Sequence, residues 1–417
     1  MLAAVRDSFD RRRSPVRVLH YSHDSYGLGH LRRTLTIAAG LHASRPDVTQ
    51  LIVSGAADTL GWTLPPGVDW VKLPSAIKVG AGEYRARALD CDFGELRDLR
   101  AELLLAAARS FRPHVAVIDH VPAGLEGEAL PALSYLHSVG TPLVLGLRDV
   151  VDDPALVRRS WRRQGLYRLL DELYDRILVY GAPELHEVAT EYGFSPRARA
   201  KTRYVGFLGA PRPQAREVVR SRLRLSTGRF VLVTAGGGGD GFPLLRTMVD
   251  ALRTEGAATR DFDVLLVAGP LMPERDRAEL ERMLPSGDAR VRLVASLPEL
   301  HDVLAAADAV VSMGGYNTTR EILTYRRPAV VVPRVWPRLE QLVRAQGLAR
   351  LGLVNVLHPA ELTSARLLSG VREVLARGVR SVAHVPLDGV DRFADEIEEL
   401  LLEHGASPVA ERALAHA

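Results

Sequence analysis

The stretch "RFVLVTAGGGGDGFPLL", residues 229–245, runs from an apolar, β-branched segment through a glycine turn into a helical pattern. A strand that hands over to a helix through glycines opens a Rossmann-like unit. Here it restarts a pattern that the chain has already run through once. Upstream, the short runs at 16–22, 49–55, 115–119, 142–147 and 176–181 alternate with helical stretches such as "LRDLRAELLLAAARSF" (96–111), whose leucines and alanines return at three- and four-residue steps. The alternation pauses at "YVGFLGAPRPQAR" (204–216), a linker by its glycines and prolines. Downstream of residue 229, further strands are expected at 262–269, 291–296, 309–315 and 328–333.

Alternating βα units predict an α/β protein of two Rossmann-like lobes, each with a parallel sheet, and a cleft between them. The boundaries read as 1–205 for the first lobe, 206–386 for the second, 387–405 for a C-terminal helix and 406–417 for a tail. That helix carries Phe393, Ile397, Leu400 and Leu401 on one side, which suits packing back across the first lobe or capping the second.

Composition agrees with a packed two-lobe protein. At 417 residues the chain is too long for one ordinary core, and 47% hydrophobic against 25% charged residues is a globular balance. The net charge of +4 leaves no nucleic-acid footprint, although the basic residues are almost all arginine, a good ligand for phosphate. The single Cys91 has no disulfide or zinc partners, so a reducing cytoplasm is expected. No signal-peptide h-region or membrane-length apolar run is present in the sequence. The segment "VRRSWRRQGLYRLL" (157–170) reads either as a surface helix with its apolar side in the core or as a peripheral contact with the inner face of the membrane.

Three glycine turns mark the candidate site. In "GLGH", Gly27 and Gly29 let the backbone approach a ligand, and His30 stands at a helix start, where it can serve as a base or merely cap the turn. The four glycines Gly236, Gly237, Gly238 and Gly239 exceed what a turn requires and suit a pyrophosphate held by backbone amides. The absence of a following Lys-Ser/Thr pair excludes a P-loop, and Arg32 at the third glycine position excludes the dinucleotide fingerprint. In "MGGYNTTREI", Gly314 and Gly315 end a strand, Asn317 and Thr318 are placed to cap the next helix, and Glu321 completes a capping box with Thr318 in the first turn. Asp119, His120 and Asp149, at strand ends, are reserve bases behind His30. The D-x-D spacings Asp90/Asp92 and Asp261/Asp263 read as solvated surface, so no metal or other cofactor is expected. The basic, glycine-containing segment 77–87 reads as a loop that closes over an acceptor or is simply mobile.

With these loops in place, the chain resembles the MurG-like glycosyltransferases of the GT-B fold. "GYNTTREI" is similar to the family's G-x-x-T-x-x-E-I signature, and "RPAVVVPRVWPRLEQLVRAQGL" resembles the strand, loop and Gln-containing helix that follow it. The resemblance implies that Glu321 accepts from ribose hydroxyls, that Thr318 and the amides near Gly315 meet the diphosphate, and that Glu340 and Gln341 read the sugar. It also puts Leu297 where uracil is recognised through the backbone, and His30 at the reaction centre. A uridine diphosphate sugar is then the donor, transferred with inversion to a small-molecule, glycan or lipid-linked hydroxyl acceptor. Three positions depart from the family: Gly238 replaces a serine, Glu340 replaces the first of two glutamines, and "GLRD" (146–149) lacks the His-Glu-Gln-Asn run. "GLGHLRRTLTIA" also resembles the UDP-sugar hydrolases of nonulosonic acid pathways, so hydrolysis stands as a rival, and a non-catalytic nucleotide-sugar sensor as a third reading. The sequence names neither the acceptor, the sugar nor the oligomeric state.

Overall fold

Valine, leucine and isoleucine occupy successive positions of the strands, so both faces of each sheet need covering, and helices cover them. The computed structural model describes residues 16–23, 29–56, 64–80, 83–225, 228–255, 261–378 and 385–405. In chain order the first lobe holds β1 (Arg17–Ser22), β2 (Thr49–Ser54), β3 (Val68–Lys72), β4 (Ala76–Gly80), β5 (Glu83–Ala86), β6 (Val115–Asp119), β7 (Leu143–Arg148), β8 (Arg176–Tyr180) and β9 (Thr202–Tyr204). Seven of these form one sheet in the order β3-β2-β1-β6-β7-β8-β9, parallel throughout. The second lobe holds β10 (Arg229–Thr234), β11 (Phe262–Val267), β12 (Val291–Val294), β13 (Ala309–Ser312), β14 (Ala329–Val331) and β15 (Asn355–Val356), in the order β12-β11-β10-β13-β14-β15, again parallel. In each sheet the order reverses beside the central strand, β1 or β10, and such a switch point opens a crevice at the carboxyl ends of the strands.

Several expectations need correction. Residues 76–80 and 83–86, read as part of a loop, pair as the antiparallel hairpin β4-β5, because alternation in "AIKVG" and "EYRA" satisfies a short ladder. Asp263, read as solvated, is buried within β11, while Asp261 is exposed and paired with Arg229. Asp92 caps the Phe93–Phe111 helix in a capping box with Glu95. Within 157–170, Trp161 and Leu166 are buried and Trp161 lies against Tyr167, Tyr192 and Phe194, so this segment turns its apolar side into the core. Among the described residues no helix is long and apolar enough to cross a membrane. The tail at 406–417 lies outside the described residues.

The C-terminal helix, Gly389–Glu403, lies on the first lobe. Val390 packs on Gly40 of the Gly29–Ser44 helix, Phe393 approaches Tyr180, and Arg176 meets both Glu396 and Glu403. The chain therefore passes between lobes twice, and the two passages touch: Phe207 N donates to Pro386 O and Gly389 N donates to Phe207 O, each at 2.9 Å. A β-carbon built onto Gly389 would meet the Gly206 and Phe207 carbonyl oxygens at 2.6 Å. Rigid backbone on both sides leaves nowhere to retreat, so Gly389→Ala is expected to lose about 1–3 kcal/mol, as overpacking does. A melting midpoint equal to wild type would show that the crossover relaxes freely.

Candidate active site

At the carboxyl ends of β1, β6 and β7 the first lobe presents His23, the pair Asp119-His120 and the pair Arg148-Asp149. The Gly29–Ser44 helix adds His30 and, one turn on, Arg33, because residues three apart share a helix face. Asp119 accepts from Arg33 through both oxygens, at 2.9 Å from Nε and 2.6 Å from Nη2, and its Oδ2 lies 2.6 Å from His30 Nδ1. Burial alone would push this carboxyl up, but Arg33 and His30 hold it well below the usual range. Asp119 is thus an anion and an acceptor only, and it requires the His30 proton on Nδ1. Arg33 Nη2 also approaches His30 Nδ1 at 2.8 Å, yet both are then donors, so this is a contact across their shared carboxylate and not a bond. The free lone pair of His30 is left on Nε2. The His30 side chain retains 18% exposure, against 5% for Asp119 and 2% for Arg33, which makes it the reachable member of the three.

Two further imidazoles flank it, with His23 and His120 ring centroids 4.5 and 5.2 Å from that of His30. Burial drives both well below the ordinary histidine value, with His30 next in effect on His23 and Arg148 on His120. Among the described residues no group of three or more His, Cys, Asp or Glu side chains is arranged to hold a metal ion.

The second lobe faces this cluster with its own strand ends. Gly236 takes a left-handed turn after β10, and Gly238, also left-handed, brings its backbone so close to the next loop that a β-carbon would lie 2.3 Å from Ala268 O. The serine usual in the family has no room there, which accounts for this departure. Gly237 and Gly239 complete the loop, whose Gly237 O accepts from Leu271 N. Leu297 lies past the end of β12, half-buried against the core. Gly27 lies outside the described residues. Gly29 begins its helix with Asn317 of the second lobe 4.0 Å from where a β-carbon would stand.

The expected capping box at Thr318 and Glu321 does not form. The helix Tyr316–Thr324 starts three residues earlier than the box requires, with Gly315 at the cap and no side-chain capping bond. Thr318 and Glu321 are interior helical residues, and Glu321 is buried. Burial raises its carboxyl above the usual value against the pull of Arg320 and Arg32. Its bland explanation is gone, and a buried carboxylate beside the cleft calls for another one.

Sequence reasoning missed the arginines that tie the lobes together. Arg344, on the Glu340–Arg350 helix, grips Asp149 with Nε at 2.6 Å and Nη2 at 2.8 Å, both residues almost wholly buried, and its Nη1 donates to Gly314 O. Asp149 is consumed by this pair and is not available as a base. Arg148 reaches Glu340 at 2.8 Å across the cleft, an ion pair whose angles are not those of a hydrogen bond. Burial would raise the Glu340 carboxyl, but Arg148, Arg344, Arg334 and Arg338 bring it down to about 2. Gln341 accepts from Arg334 N at 2.9 Å. Signals existed for these residues: Arg33 follows His30 by one turn, Arg344 follows Glu340 by one turn, and Arg148 stands inside "GLRD".

Two parallel-sheet lobes meeting at their strand ends, with a histidine on one side and glycine loops on the other, define a GT-B architecture. Solved structures of this shape include MurG from Acinetobacter baumannii (13% identity, 92% of this chain and 100% of that one, TM-score 0.61) and a UGT transferase from Siraitia grosvenorii in complex with UDP (16%, 92% and 99%, TM-score 0.59). Residues 230–384 match the glycosyltransferase family 28 C-terminal domain. Over 401 residues the chain is 25% identical to the UDP-N-acetylglucosamine–N-acetylmuramyl-(pentapeptide) pyrophosphoryl-undecaprenol N-acetylglucosamine transferase of Clavibacter michiganensis, covering 92% of this chain and 97% of that protein. The chain has the GT-B fold, its second lobe matches the glycosyltransferase family 28 C-terminal domain, and over most of its length it is similar to MurG-type glycosyltransferases.

Proposed function

We propose that the protein transfers a sugar from a uridine diphosphate donor to a hydroxyl acceptor with inversion, His30 acting as base. The observation that carries this reading is the His30–Asp119–Arg33 arrangement set opposite the glycine loops of the second lobe. His30 Nε2 takes the acceptor proton as the acceptor oxygen bonds to the anomeric carbon. The bond from that carbon to the diphosphate oxygen breaks, and UDP departs with the electron pair. Amides of Gly236–Gly239 and of the turn at Gly314-Gly315 stabilise the developing charge. Thr318 and Asn317 lie beside the diphosphate, Glu321 receives the ribose hydroxyls, Leu297 borders the uracil, and Glu340 with Gln341 reads the sugar. Full turnover in excess chelator is the expected result for a reaction run on amides alone, and loss of turnover restored by a divalent cation would replace this mechanism.

Thermal unfolding with UDP, UDP-N-acetylglucosamine, UDP-glucose, TDP-glucose and GDP-mannose tests the donor. A ligand at a hundred times its Kd adds about 2.7 kcal/mol, enough to move the midpoint by several degrees. Stabilisation by uridine ligands that disappears in Glu321→Ala supports the reading, and silence with every nucleotide removes it. UDP release without any acceptor would favour the hydrolase instead, a reading that the relatives above do not support.

Glu321 also yields a signed pH effect. Its folded pKa is raised, so unfolded Glu321 ionises first, and the folded state bears the cost of a buried charge as pH rises through the folded value. Ligand-free Glu321→Gln is therefore expected to melt above wild type at pH 8, with the advantage vanishing toward pH 4. The same variant should lose uridine stabilisation. A ligand-free Glu321→Gln protein less stable than wild type at pH 8 would contradict this account.

A further inference from the structure

His120 stands directly after β6 with φ at 72°, a left-handed backbone that a histidine adopts only at a cost, fastened by its N donating to Gly146 O at 2.7 Å. Its ring is buried. Arg148 Nη2 lies 3.3 Å from His120 Nε2, and a guanidinium only donates, so Nε2 is the acceptor and the neutral ring carries its proton on Nδ1. His120 Nδ1 is buried and has no hydrogen-bond partner among the described residues. A strained backbone thus holds an N–H donor without a partner among the described residues, one ring away from His30. An unsatisfied buried donor beside a reaction centre awaits an oxygen from a ligand.

We infer that His120 Nδ1–H binds an acceptor oxygen next to the hydroxyl that His30 deprotonates, so that the acceptor is a vicinal polyol, such as a sugar ring or a glycerol unit, and not an isolated alcohol. This rests on the transferase reading above. The assignment to acceptor follows from position: His120 and His30 belong to the first lobe, whereas the glycine loops and Glu321 belong to the second. Two rings with centroids 5.2 Å apart are close enough for one small polyol to touch both. Arg148, which fixes the His120 tautomer, also contacts Glu340, so the same guanidinium adjoins both the acceptor reader and the sugar reader.

The test uses histidine-15N-labelled full-length protein saturated with UDP, with His120 assigned by comparison with His120→Asn. The expected spectrum shows the Nδ1–H tautomer, and its resonance moves on titration with methyl β-D-glucopyranoside but not with ethanol. An Nε2–H tautomer, or a resonance indifferent to the glucoside, overturns the proposal. In turnover with UDP-N-acetylglucosamine and methyl β-D-glucopyranoside, His120→Gly is expected to raise the acceptor KM about 5–30-fold, the range of one lost hydrogen bond, with UDP affinity unchanged. Glycine relieves the left-handed strain, so the melting midpoint should hold or rise. His120→Asn tolerates this backbone and keeps an amide donor, and it should recover most of the KM. An unchanged KM, or a His120→Gly protein that melts several degrees lower, assigns His120 to packing. Failure of the wild type to bind UDP sinks the donor reading alone, because the tautomer and the glucoside response are then read without UDP and still decide His120.

Discussion

His30→Ala is expected to lower turnover by about 100-fold or more while the affinity for UDP stays at the wild-type value. The split follows from where the side chain sits. His30 lies on the first lobe, and the candidate nucleotide contacts lie on the second, so removing the imidazole takes a proton acceptor from the reaction without touching donor binding. Asp119 supplies the second half of the experiment. It stays ionised because Arg33 holds it, and its only service to His30 is to accept the Nδ1 proton, which leaves Nε2 free to act. Asp119→Asn keeps the shape but offers an amide that can present its N–H to Nδ1, favouring the wrong tautomer. Its loss of turnover should approach that of His30→Ala, and the double variant should be little worse than either, as for residues acting as one unit. Near-normal turnover in His30→Ala would remove it from the chemistry, and losses that multiply in the double variant would separate Asp119 from His30.

What could be read from the sequence was whatever repeats locally. The runs at 16–22 and 229–234 announce parallel strands because buried strands are apolar on both faces, and the glycines after them announce turns because only glycine tolerates those φ angles cheaply. Gly236, Gly238 and Gly314 all have positive φ. What the sequence concealed was set by distance along the chain. Nothing in "GLRD" says that Asp149 meets an arginine 195 positions later, or that Asp119 meets both His30 and Arg33. The capping box failed for a local reason: Thr318 and Glu321 fit that motif in spacing, but the helix already begins at Tyr316, with Gly315 at its cap and the left-handed Gly314 turning the chain out of the strand. The same misreading hid the most informative fact about Glu321, its burial without a capping role.

The other large effect lies in the pair that joins the lobes. Arg344 and Asp149 are withdrawn from water, doubly hydrogen-bonded and contributed by different lobes. The attraction raises the guanidinium pKa against the opposing effect of burial. Removing one partner leaves a buried charge with nothing opposite, so Arg344→Met and Asp149→Leu are each expected to cost about 3–5 kcal/mol, the range for broken buried pairs. The double variant replaces two charges by two apolar side chains of comparable reach and is expected to regain most of that loss, because desolvation is no longer suffered by either group. The sign of the coupling is the diagnostic result. Strong recovery in the double variant means that Arg344 and Asp149 act on each other across the cleft, and that the charges serve to set how the lobes meet. Additive losses would mean that each residue stabilises its own lobe, Arg344 through the Gly314 carbonyl at the start of the Glu321 helix. Uridine binding separates the two further: an interlobe tie leaves the second-lobe nucleotide site intact in Asp149→Leu, whereas a local role for Arg344 weakens that site in Arg344→Met alone.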